Sequence, residues 1–171
     1  MNKNSIPILC LVLIILVKVS PSRAQELNEN LEFLSPLIGS WEGYFEDRDR
    51  QGLLLTMSCE AIVEGNALRM QSVSGGMGRR NLYYWDPEKK QVLYLVLTTN
   101  GYVGSGIIFK QGDTIFEVGR QIAPDGTVNE TKSAWAMGPE GQVITQAYTM
   151  KEGKWHPGHV IVFVKPGQSK K

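Results

Sequence analysis

Cysteine and histidine are both scarce, with two of each in 171 residues. Cys10 sits in an N-terminal apolar stretch, so beyond that stretch Cys59 is alone and no intrachain disulfide can form. The histidines, His156 and His159, stand three residues apart in an extended segment, where they project to opposite faces. No Asp, Glu or Cys at ligand spacing joins them, so no metal site is expected. Charge of one sign is also lacking: 18 basic residues face 17 acidic ones, with a formal net charge of +1. This argues against a nucleic-acid partner. Arg79-Arg80 and Lys170-Lys171 are tight basic spots, and both read as solvated surface. Glu42, Glu46, Asp47 and Asp49 read the same way, with no pair marked out for acid and base roles.

Motifs for catalysis are missing as well. Gly104-Ser105-Gly106 lies inside a strand pattern, without the strand-to-helix turn that a nucleophile elbow requires. Its glycines suit a bend, a bulge or a close backbone approach. Gly75-Gly76-Met77-Gly78 precedes no helix and so cannot cradle a phosphate; it reads as a loop at an open end. An enzyme is therefore not the expected reading. Asn129-Glu130-Thr131 fits a glycosylation acceptor triplet, which is read as a chance match.

The first residues have the pattern of an export signal. Lys3 gives a positive start, Ile6 to Val17 an apolar core, and Ser22-Arg23-Ala24 a small-x-small cleavage site, so residues 1–24 are expected to be removed. The core is shorter than the roughly 18–20 residues that span a bilayer, so no stable membrane insertion is expected after cleavage. The protein would then be secreted or periplasmic. About 147 residues would remain, enough for one domain over residues 25–165 and a flexible tail over 166–171.

Within that domain, turn signals recur about every 12 residues, from Glu64-Gly65-Asn66 through Asn100-Gly101 and Pro124-Asp125-Gly126 to Glu152-Gly153. Between them lie about ten β-rich runs, the first over Trp41 to Glu46 and the last over His159 to Lys165. Leu53, Leu55, Met57, Cys59, Ala61 and Val63 fall at every second position, with Thr56, Ser58 and Glu60 among the residues between them, as a sheet with one buried face requires. Cys59 thereby falls on an apolar face, where a thiol is inert. Ten strands in a meander leave two open edges unless they close, so the expected fold is an all-β, up-and-down antiparallel β-barrel. Two packed sheets are the alternative. A short helix is expected over Glu26 to Leu34, where Leu27, Leu31 and Leu34 follow helical spacing before Ser35-Pro36.

The segment Leu37-Ile38-Gly39-Ser40-Trp41-Glu42-Gly43, ahead of these strands, resembles the calycin group of barrels. It is most similar to small bacterial lipocalin-like proteins and more distantly to nitrobindin-type haem-binding barrels. The resemblance covers most of the chain as a strand pattern, with Gly39 and Trp41 as its specific motif. It implies that Trp41 plugs the closed end against a basic side chain near the last strand. Lys165 is the matching position, with lysine where arginine is usual.

A large aromatic after a glycine that lets the backbone turn in suits such a stopper, so Trp41 is read as architecture. The expected ligand-binding residues are Tyr83, Trp85, Tyr94, Phe109, Phe116, Trp135 and Tyr148, which can line an apolar cavity and offer a few polar contacts. The expected partner is a small hydrophobic or amphipathic molecule, with no cofactor. Two alternatives stand beside this reading. One is haem with His159 as axial ligand, as the nitrobindin resemblance implies for a histidine in a late strand. The other is a filled barrel serving as an envelope interaction module, which predicts an exposed apolar patch on the outer wall.

Overall fold

The computed structural model describes residues 26–46 and 55–168. The expected leader over residues 1–24 and start at Gln25, the acidic Asp47 and Asp49, Leu53, and Lys170-Lys171 lie outside the described residues. Ten antiparallel strands form one closed barrel. They are β1 (Gly39–Phe45), β2 (Leu55–Ile62), β3 (Ala67–Ser74), β4 (Met77–Asp86) and β5 (Gln91–Thr98), followed by β6 (Val103–Gln111), β7 (Thr114–Ile122), β8 (Val128–Met137), β9 (Val143–Lys151) and β10 (Lys154–Val164). Each strand pairs with its neighbours in sequence, and β1 pairs with β10 from Glu42 opposite Val164 to Phe45 opposite Ile161, which closes the wall. Closure removes both free edges, the physical reason such a meander curls.

Alternation then fixes the interior. Leu55, Met57 and Cys59 point in from β2 while Thr56, Ser58 and Glu60 stay exposed, as their spacing predicts. Gly75 and Gly76, at φ of +53° and +85°, make the two-residue β3–β4 turn between the paired Ser74 and Met77. Such a turn needs positive φ at both central residues, which glycine adopts without strain. The last strand begins before His159, at Lys154, and passes Pro157 and Gly158 by a bulge that shifts its register against β9 before Val160.

The helix expected over Glu26 to Leu34 is not formed. A 3-10 turn over Glu32–Leu37, with Pro36 inside it, takes its place. Leu31 N–H bonds the Asn28 carbonyl and Leu34 N–H the Leu31 carbonyl, both at 2.9 Å and both i to i−3. A segment this short gains too few helical bonds to nucleate alone, so packing decides its shape. Its spacing still buries Leu27, Leu31, Leu34 and Leu37 in the core under one end of the barrel. Full burial of a leucine side chain contributes about 1.5–3 kcal/mol. The β2–β3 turn latches this segment: Asn28 N–H bonds the Gly65 carbonyl at 3.0 Å, and a Cβ at Gly65 would strike the Glu26 carbonyl.

Trp41 completes the plug. It is 2% exposed, and its indole N–H donates to the Leu37 carbonyl at 2.8 Å. The Lys165 ammonium sits 3.5 Å from the centre of its ring, the contact expected of these two positions. Gly39, at φ +124°, leaves room for that ammonium, which a Cβ would approach to 3.0 Å. Trp41→Ala is expected to destabilise the barrel by about 3–5 kcal/mol and Lys165→Met by about 0.5–1 kcal/mol, read from urea unfolding midpoints. Equal losses for the two would contradict a plug whose main contribution is ring burial.

Candidate functional site

With one end plugged, open volume lies toward the other, where the β3–β4, β5–β6, β7–β8 and β9–β10 turns gather. The pleat sends Arg79, Asn81, Tyr83 and Trp85 inward along β4 and Ile115, Glu117, Gly119 and Gln121 inward along β7. From these two strands an ion pair crosses the interior: Arg79 Nη2 lies 2.8 Å from Glu117 Oε1. Arg79 Nε donates to Asn81 Oδ1 at 2.9 Å, Asn81 Nδ2 to the Tyr83 hydroxyl oxygen at 2.6 Å, and the Tyr83 hydroxyl to Glu117 Oε2 at 3.2 Å. The result is a ring of four polar side chains. Among the described residues no buried side-chain nitrogen or oxygen lacks a hydrogen-bond partner, so the buried atoms of the ring are all paired.

Two cavities adjoin this bridge. The larger, of about 610 Å³, has an apolar wall from β1, β2 and β10, including Phe45, Leu55, Met57, Ile161 and Phe163. Its facing wall is polar, with Arg79, Thr98, Gln121, Ser133 and Thr145. The smaller, of about 250 Å³, lies on the Glu117 side and includes Tyr94, Gly104 and Thr131. It reaches the wall at Lys132 and Tyr148, the last pair of the β8–β9 ladder; beyond them the two strands run on without pairing to each other.

Tyr94 owes its position to glycines. Gly106 and Gly119 are its successive cross-strand neighbours, and a Cβ on Gly106 would approach its ring to 2.8 Å. The ring lies over both, and its hydroxyl is 3.4 Å from Thr131 Oγ1. The close approach expected from Gly104-Ser105-Gly106 is thus made by its second glycine.

The seven aromatic candidates divide. Trp135 lines the larger cavity, with its indole N–H donating to Ser133 Oγ at 3.2 Å. Tyr94 lines the smaller one, and Tyr83 is 1% exposed within the polar ring, lining neither. Trp85 packs against the core at the plugged end of β4. Phe109 and Phe116 face outward, stacked at 5.7 Å, because Ile108 and Ile115 hold the inward positions. Tyr148 is also on an outward position, with the Lys132 ammonium 5.1 Å above its ring, and meets the smaller cavity only at the parting of β8 and β9. His159 borders both cavities from β10, edge-on to Phe45 at 5.3 Å, while His156 is exposed.

Arg79 corrects its sequence reading as surface charge: only Arg80 of that pair is on the outside. The missed signal was parity, since Arg79 shares its strand face with Tyr83 and Trp85, both expected inside. Glu117 was missed likewise, on the face of Ile115. The outer wall carries an apolar stripe across four strands, Leu97, Val103, Ile122 and Val128, each an exposed cross-strand partner of the next. Among the described residues, no three His, Cys, Asp or Glu side chains converge as metal ligands. No protein-family model matches this chain, and no curated protein sequence does.

Burial raises the protonation constants of three interior groups. Desolvation pushes the Cys59 thiol from its ordinary 9.0 up to about 12, against a smaller downward pull from Lys165. Desolvation, then the Glu117 charge, holds the Tyr83 hydroxyl well above the ordinary 10, and the same two causes raise Tyr94. For Arg79, burial alone would lower the value, but the Glu117 charge and hydrogen bond outweigh it and the net shift is upward. For the thiol and the phenols, the folded state keeps its proton to higher pH than the unfolded chain does. Their contribution is therefore full below the ordinary values and is lost as pH rises past them. Unfolding free energy should fall from about pH 9 upward. Cys59→Ala should flatten the part between about pH 9 and 12, and Tyr83→Phe the part above about 10, in denaturant titrations across that range. An unchanged slope in both variants would contradict the burial argument.

Proposed function

We propose that this chain is an exported, non-enzymatic β-barrel that holds a small hydrophobic or amphipathic molecule in its interior, as the lipocalin-like barrels that it resembles do. The larger cavity carries this reading. Its volume of about 610 Å³ falls within the range of roughly 300–1,000 Å³ that suits drug-sized ligands. Binding would draw on apolar area buried at about 25 cal/mol per Å² against the β1, β2 and β10 wall, less the costs of ordering. The hydroxyls and amide of the facing wall would fix orientation.

A second reading rests on His159. Its imidazole borders the cavity that Met57, Met70 and Ile161 also line, a donor and apolar set that fits a haem edge, with the histidine as axial ligand. Haem would bring redox or gas-binding chemistry there.

The first reading predicts that native mass spectrometry of the exported protein finds a bound or exchangeable small molecule, and that a neutral apolar fluorophore such as N-phenyl-1-naphthylamine is taken up. Ligand-free protein that takes up no fluorophore would count against it. For the second, haemin titration should give a Soret band that shifts in His159→Ala; identical spectra would remove that assignment.

A further inference from the structure

We infer that the ligand of the larger cavity is an amphiphile bearing one acidic group, seated against Arg79; this rests on the interior-binding reading above. A guanidinium has five N–H donors. Among the described residues, Arg79 makes two hydrogen bonds, through Nε to Asn81 and through Nη2 to Glu117. Those bonds hold the group in place, yet its side chain remains 39% exposed and borders the larger cavity. Among the described residues, its remaining donors have no acceptor.

The distribution of charge gives this edge its meaning. Among the described residues, no aspartate or glutamate lines the larger cavity. Glu117, 5% exposed at its side chain, stands behind the guanidinium and borders only the smaller cavity. A molecule in the larger cavity therefore meets the cation first. Around it Gln121 and Ser133 add an amide and a hydroxyl donor from two strands, while the Thr98 hydroxyl donates to the Tyr102 carbonyl. A convergent set of donors about a fixed guanidinium suits an oxyanion, with charge-assisted bonds roughly twice as strong as neutral ones. Across the cavity, Phe45, Leu55, Met57, Ile161 and Phe163 form a mainly apolar wall, with the His159 imidazole against Phe45. One end of the ligand is thus acidic and the rest hydrocarbon or aromatic.

The test is displacement of N-phenyl-1-naphthylamine from the exported protein by decanoate, decan-1-ol and decylamine at pH 8. Decanoate should displace at a concentration about tenfold lower than decan-1-ol, with decylamine weakest. In R79M/E117Q, which removes both charges and keeps a hydrogen-bonding side chain beside Tyr83, acid and alcohol should come within about twofold while the alcohol's own value holds. Uptake of fluorophore with no acid preference in the wild type overturns the inference alone. Acid preference that survives in the double variant overturns the role of Arg79. Failure of any uptake overturns the interior-binding reading as well. The wild-type ordering of the three amphiphiles tests the inference even if the variant does not fold.

Discussion

The Arg79–Glu117 pair is the constraint around which the interior is arranged. A closed ladder drives every second residue inward, and ten strands enclose more space than ordinary apolar side chains fill. The ion pair spans part of that space, from β4 to β7, and separates an amphipathic chamber from a smaller polar one. Its contribution is shape more than stability, because buried ion pairs often do no better than apolar residues of equal volume. What makes the charges tolerable is the completed ring through Asn81 and Tyr83. Glycines on the adjoining strands serve the same end: Gly106 and Gly119 admit the Tyr94 ring and leave room beside the bridge.

The plug gives the barrel its direction. Four leucines from the N-terminal segment, the Trp41 ring and the Lys165 ammonium shut one end, so accessible volume lies toward the other. The plugged end is stabilised mainly by apolar burial and needs little polar precision. The mouth side reverses that balance, with hydroxyl, amide and guanidinium groups on the wall formed by β4 to β9. Outer-wall features are of another kind. The Leu97, Val103, Ile122 and Val128 stripe is apolar without concavity, whereas the interior combines concavity with graded polarity, the features of a small-molecule site.

The architecture was legible because turn chemistry and alternation both act locally. Asn100-Gly101 and Gly75-Gly76 mark turns by their backbone needs, and the Leu55, Met57 and Cys59 alternation marks a face. The 3-10 turn at Glu32–Leu37 was not legible, since leucine spacing states which residues are buried but not which hydrogen bonds form. Half-apolar strands hid the site. In Val103 to Phe109 and Thr114 to Val118, both faces carry large apolar residues, so Phe109 and Phe116 looked as suitable for the interior as Ile108 and Ile115. Arg79 was hidden for the opposite reason: an arginine beside another arginine looks like surface until its parity with Tyr83 is counted. Pairing across strands, as between Arg79 and Glu117, depends on barrel register and has no signal in either segment alone.

The central claim is that ligand is held inside the wall, beside the bridge, and not on the outer stripe. Methyl and indole NMR of the protein during decanoate titration addresses this directly. The account predicts that saturable shifts concentrate at the inward Met57, Met70, Ile161 and Trp135, with Leu97, Val103, Ile122 and Val128 unmoved. Shifts confined to the outer four, or no saturable shift at the inner four, would contradict it.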